Sequence, residues 1–153
     1  MEAHQNSKHY GHLALMVVLH FISMYVLMYA MVDKFANVYS SFNQVYMAAL
    51  MTSPMLIIEL LLMRGMYPKQ TVNSAVITAA VIVLVSSFLF IRWQTAIGDK
   101  QFLRSMIPHH AGALLMANEA SIEDPEIKEL IKNIISSQQS EIDWMKAKLD
   151  KLN

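Results

Sequence analysis

Three long apolar stretches come first along the chain, and two stretches of helical period follow them. Leu13 to Val32 is about 20 residues with only His20 and Ser23 as clearly polar interruptions, enough for a helix to cross a hydrocarbon core of ~30 Å. Tyr46 to Met63 is the second run. Pro54 lies inside it and predicts a kink, with neighbouring helices or Thr52 and Ser53 to satisfy the carbonyl that proline frees. Val72 to Ile91 is the third, with Ser86 and Ser87 as small packing residues and Arg92 and Trp93 marking an interfacial end. Between the runs, Asp33 to Gln44 carries the tyrosine and phenylalanine expected at a membrane interface, and Arg64 to Gln70 is a basic turn broken by Gly65 and Pro68. The polar lead, Glu2 to His12, holds His4, His9 and His12. The run behind it is too long for a signal-peptide core and is expected to be retained.

After Ile91 the apolar positions recur at intervals of three and four, the mark of amphipathic helices. Asp99 is expected to cap a helix reaching about Ser121, whose apolar face reads Phe102, Leu103, Met106, His109, His110, Ala113, Met116, Ala117 and Ala120. Pro108 falls within it and should bend it by releasing the carbonyl of Arg104. Asp124 is expected to cap the last helix, with Pro125 at its first position and Glu126 in its first turn, running to about Lys151. Its inward face reads Ile127, Leu130, Ile131, Ile134, Gln138, Glu141, Ile142, Met145 and Leu149. Gln138 and Glu141 are polar intruders there, and buried polar groups require partners. Folded back about residue 123 as an antiparallel hairpin, the chain brings His109 and His110 level with residues near 137, and Met106 level with residues near 140. The expected architecture is all-α: three transmembrane helices (about 13–32, 46–63 and 72–91) in a membrane domain of residues 1–93, then a helical hairpin domain over residues 99–153.

Composition supports the membrane reading. Hydrophobic residues make up 55% of the chain and charged residues 16%, and the mean hydropathy is +0.34. Twelve basic residues balance twelve acidic ones, so no net field favours a nucleic acid. With no cysteine, disulfides, thiolate zinc sites and thiol catalysis are excluded. Thirteen methionines and six histidines remain as soft and borderline donors. Arg64 and Lys69 mark the first short loop after two spans as the cytoplasmic one, which places the N-terminus inside and everything after Ile91 outside.

Two constellations carry candidate chemistry. On the hairpin, Met106, His109, His110, Met116 and Met145 are candidate ligands for Cu(I), with Ag(I) as an alternative soft ion, and Gln138 and Glu141 are placed to orient an imidazole from behind. Adjacent histidines point about 100° apart on a helix, so which of His109 and His110 faces inwards is open. The same residues would also serve as a polar network with two methionines as gap fillers. In the membrane, His12, Met16, His20, Met24 and Met28 repeat every fourth residue, as do Met51, Met55 and Glu59. These form a second candidate site for metal or protons, since ionisable groups in spanning segments are costly and point to function. His20 and Glu59 would alternatively pair with each other as a proton relay or interhelical glue that needs no metal. Neither H-E-x-x-H nor E-x-x-H occurs, and no nucleophile elbow, phosphate loop or dinucleotide fingerprint is present, so no catalytic role is expected, although copper redox chemistry would leave no motif.

FLRSMIPHHAGALLMANEA followed by DPEIKELIKNIISSQQSEIDWMKAKL resembles the DUF305 family, with the pattern M-x-x-H-H-x-x-A-x-x-M on one helix and Q-x-x-E-I-x-x-M on the next. Met106, His109, His110, Ala113 and Met116 carry the first motif, and Gln138, Glu141, Ile142 and Met145 the second. The resemblance implies a ferritin-like fold, an extracytoplasmic hairpin, and copper binding in the service of copper tolerance, storage or delivery. Expected partners are membrane lipid, further copies of the chain in a homo-oligomer, and a copper transporter or chaperone. The expected location is a bacterial inner membrane, crossed several times. The competing expectation is a structural or accessory membrane subunit whose hairpin mediates oligomerisation and holds no metal. The orientation has a direct test: protease added to the extracytoplasmic face of sealed membranes should remove the C-terminal hairpin, and cleavage only from the cytoplasmic face would reverse the topology.

Overall fold

The computed structural model describes residues 2–152, with side chains from Lys8 onward, and His4 therefore lies outside the described side chains. Its elements are helices throughout: α1 (Glu2–Leu27), α2 (Phe42–Leu62), α3 (Gln70–Trp93), α4 (Asp99–Glu119) and α5 (Pro125–Lys151), with single 3-10 turns at Met28–Met31, Phe35–Asn37 and Arg64–Met66. Three segments are long and apolar enough to cross a membrane: Lys8–Met31, Phe42–Leu62 and Gln70–Trp93. Helix α1 runs through the polar lead as well as the apolar run, and α2 begins four residues before its expected start at Tyr46.

The chain divides into two compact units, Met1–Leu27 with Val45–Thr95, and Met28–Gln44 with Ala96–Asn153. In the first, Leu13, Leu60 and Tyr67 form a buried cluster on which Tyr10, Met16, Leu56, Val76 and Ile77 pack. Leu15, Val18, Leu19 and Ile22 of α1 and Val81, Ile82, Val85 and Phe88 of α3 are exposed. Apolar surface of that extent is unstable against water and suits hydrocarbon. Pro54 is accommodated inside α2, but Thr52 and Ser53 do not serve the carbonyl it frees, which belongs to Leu50. Their buried hydroxyls donate instead to the carbonyls of Ala48 and Ala49, each at 2.8 Å. A hydroxyl reaches the carbonyl one turn back on its own helix, and Leu50 is too near in sequence for either residue to do so.

The second unit is built on α4 and α5. Leu103, Ile107, Ala111 and Leu114 of α4 meet Ile142, Met145 and Leu149 of α5 in a buried seam, flanked by Met106 and Ile135. The buried face of α4 is thus rotated from the expected one: Phe102 and Met116 are exposed, and Ile107, Ala111 and Gly112 take their place. On α5, Ile127 and Leu130 are likewise exposed rather than inward. Asp124 caps α5 as expected, its carboxylate accepting from the amides of Glu126 at 2.8 Å and Ile127 at 3.0 Å. Gly98, not Asp99, caps α4, and Asp99 sits in its first turn, where its charge complements the helix dipole.

The segment Met28–Gln44, expected as an interfacial connection, packs on the hairpin. Val32 and Tyr39 lie against the seam, Tyr29 donates to the carbonyl of Tyr39 at 2.8 Å, the amide of Phe42 donates to Gln101 Oε1 at 3.0 Å, and Asn37, buried, donates to Asp33. A Cβ at Gly112 would lie 3.4 Å from the carbonyl oxygen of Met31, in ordinary contact, so the approach has room for a methyl group but not for a branched side chain. Gly112→Val should therefore force the segment off α4, lowering stability by roughly 1–3 kcal/mol in thermal or denaturant unfolding of the second unit. A variant as stable as wild type would show that the segment is not held there.

Candidate metal centre

Met106 and His110 are separated by four residues on α4, and Glu141 and Met145 by four on α5, so each pair shares a helix face. The antiparallel seam brings the two pairs together. His110 turns inwards with 12% of its side chain exposed, and its Nδ1 lies 3.1 Å from Glu141 Oε2. His109 is exposed, its ring centroid 6.2 Å from that of His110. The histidine question is thereby answered by burial: Ile107 and Ala111 flank the seam, and His110 is the histidine on their side. Pro108 does not break α4, which runs unbroken from Asp99 to Glu119.

The contact between His110 and Glu141 is close but poorly aligned, and Nδ1 of His110 is buried with no hydrogen-bond partner among the described residues. A buried ring nitrogen without a partner loses its water at a cost. Burial holds the imidazole below its ordinary value of 6.5, the charge of Glu141 opposes that shift, and His109 adds to it. Glu141, with 53% of its side chain exposed, keeps its own water and supports the ring only weakly. The shift favours the neutral imidazole, whose lone pair is the form a metal requires. The other buried side-chain nitrogen without a partner is Nε of Arg104, whose permanent charge gives it no lone pair for a cation.

Of the thioethers, Met106 is partly buried beside the seam and Met145 is buried within it, 5% exposed. Met116 lies ten residues beyond Met106, about 15 Å along the helix axis, and is 54% exposed. It cannot share one ion with Met106 in the same chain. Gln138 is partly buried one turn before Glu141 on α5. Among the described residues no three His, Asp or Glu side chains converge as a metal-binding group. The potential donors that the seam gathers are one imidazole, His110, and two thioethers, Met106 and Met145.

The membrane stripes are not gathered in the same way. His12 and Met51 are exposed; Met16 packs beside Leu13, Leu60 and Tyr67; His20, Met24, Met28 and Met55 are partly buried. Glu59 accepts from Tyr67 at 3.3 Å rather than from His20. Register explains this: Leu13 packs at the level of Leu60, which puts His20 nearer residue 53, about 10 Å away along the axis. A cavity of about 480 Å³ lies between the three helices, lined by Val17, Phe21, Ala49, Leu56, Ala79 and Val83 among others, and none of the stripe residues faces it.

Three long apolar helices followed by a helical hairpin with an inward His and flanking thioethers define the class. Residues 91–149 match the family described as "Domain of unknown function (DUF305)". The chain is also similar to "Uncharacterized protein L153" of Acanthamoeba polyphaga mimivirus, 34% identical over 139 residues that cover 89% of this chain and 90% of that protein. The chain belongs to the DUF305 family, and a similarity of that length takes in apolar helices as well as the hairpin. No solved structure matches it.

The shift of His110 has a consequence for metal-free protein. Because the folded state holds the imidazole below 6.5, unfolded chain binds more protons in the window beneath that value. Stability of the second unit should be full above about pH 6.5 and fall as pH drops through the window below it. His110→Gln should flatten this slope in melts taken across that range, whereas Glu141→Gln, which removes the opposing charge, should steepen it.

Proposed function

We propose that the chain is a membrane-anchored copper-binding protein that takes Cu(I) through imidazole and thioether, for copper tolerance, storage or delivery. The observation that carries this reading is the buried, unpartnered Nδ1 of His110, set on one helix face with Met106 and across the seam from Met145. Cu(I) prefers soft donors and tolerates few of them, which suits a site with thioethers and no convergent carboxylates. Met106 and His110 are the residues we assign as ligands, Met145 the reserve donor beneath them, and His109 an exposed entry donor. Glu141, whose carboxylate lies 3.1 Å from Nδ1 of His110, supplies a compensating charge beside the ion. Met116 would serve an ion only with donors from elsewhere, such as a second copy of the chain. The setting proposed is a bacterial-type cytoplasmic membrane with the hairpin on the extracytoplasmic side, opposite the basic Arg64–Lys69 turn, where a copper transporter or chaperone is the fitting partner.

One feature favours the reading as a structural or accessory subunit. Met116, Ile127 and Leu130 leave an apolar surface near the tip of the hairpin, the kind of surface that a homo-oligomer covers. Oligomerisation and copper binding make different predictions for the same variants. Titration of the purified full chain with Cu(I) against a competing chelator should show stoichiometric uptake. Met106→Ala and His110→Ala should each weaken it by at least about tenfold, while Met116→Ala leaves it unchanged and alters oligomeric size instead. Absence of competition at micromolar chelator, or loss of thermal stability without loss of affinity in the first two variants, would leave the structural role as the better reading.

A further inference from the structure

The turn between α2 and α3 contains a second cavity, of about 280 Å³, whose lining is split in character. Arg64, Gln70 and Ser74 supply polar groups to it, and Leu60, Leu61 and Ile77, from the ends of the two spans, supply apolar ones. We propose that this cavity binds the phosphate headgroup of an anionic membrane lipid, with Arg64 as its cation, Gln70 and Ser74 as neutral donors, and the leucines and isoleucine along the first carbons of an acyl chain.

The electrostatics select an anion. Arg64 makes no ion pair among the described residues, and no acidic residue occurs from Leu60 to Gly98. Glu59, the carboxylate before that stretch, is engaged by Tyr67. Burial, then the charge of Glu59, push the phenol of Tyr67 above its ordinary value, so it stays protonated and remains the donor in that contact. Lys69 adds a second positive charge to the same turn. A guanidinium without a carboxylate partner matches phosphate geometry, which it can grip with two N–H donors.

The walls are fixed before any ligand arrives. Asn73 is held at both ends of its amide, Nδ2 donating to the carbonyl of Tyr67 at 2.7 Å and Oδ1 accepting from the Tyr10 hydroxyl at 2.8 Å. The same Tyr10 oxygen accepts from the amide of Lys69 at 3.2 Å, and the rings of Tyr10 and Tyr67 lie 5.4 Å apart. A turn pinned in this way to α1 loses little entropy on binding. Its position supplies the last argument. The turn joins two helices long enough to span a bilayer, which sets it at headgroup level, and the apolar half of the lining would be wasted on a free phosphate ion.

The test is native mass spectrometry of the purified full chain released from detergent with phosphatidylglycerol or phosphatidylcholine. Wild type should retain phosphatidylglycerol in preference, and excess inorganic phosphate should not displace it. Arg64→Gln should weaken retention about tenfold or more, the cost of one charge-assisted contact. Ser74→Trp, which keeps the charge but fills the cavity, should weaken it comparably; both positions are exposed, and circular dichroism checks that helix content is kept. Equal retention of the two lipids, or unchanged retention in both variants, would overturn the site. Displacement by inorganic phosphate would overturn the lipid as its occupant and leave a soluble phosphate in its place.

Discussion

The packing of Ile107 against the α5 seam, where Ile142 is equally buried, is the constraint on which the C-terminal unit depends. Each of these side chains contributes on the order of 1.5–3 kcal/mol by leaving water, and neither can do so unless the helices adopt one register. That register decides the chemistry. With Ile107 inward, Ala111 is inward four residues later and His110 lies at the seam's edge, facing Glu141. An apolar contact thus determines which of two adjacent histidines is buried, and the polar groups follow from it.

The apolar unit obeys a different constraint. Its helices have lipid-compatible surface all round, so the position of polar residues along them matters more than the face they occupy. Tyr10, Glu59, Tyr67, Lys69 and Asn73 gather at one end, where hydrogen bonds hold the α2–α3 turn against α1. Thr52 and Ser53, in mid-helix, satisfy their hydroxyls on their own backbone and leave the cavity beside them dry in character.

Much of this was legible from residue order. The five helices and the Asp124–Pro125 cap follow from hydrophobic run length and capping chemistry, whereas a hairpin turned at residue 123 sets His110 level with residues near 137, and the observed seam brings it to Glu141 instead. The helical face of α4 was legible only approximately, because Phe102, His109 and Met116 count as inward on a period argument, while Gly112 and Ala111, which are buried, score as weakly apolar. Only the contact with Met31 shows that Gly112 faces the Met28–Gln44 segment. The role of Met28–Gln44 had no sequence signal at all: its tyrosines and phenylalanines read equally well as a membrane interface, and long-range packing alone assigns Val32 and Tyr39 to the hairpin.

That last assignment bears on how the molecule comes to be folded. The C-terminal unit is discontinuous, its first part made early and its second part only after residues 45–95 have been synthesised. Until α4 emerges, Val32 and Tyr39 have no seam to cover, and the close approach at Gly112 cannot form. Contacts of such sequence separation form late and slowly, because the intervening loop must be closed before they return any stabilisation. Covering of the seam by Val32 and Tyr39 therefore waits until residues 45–95 and α4 have been made.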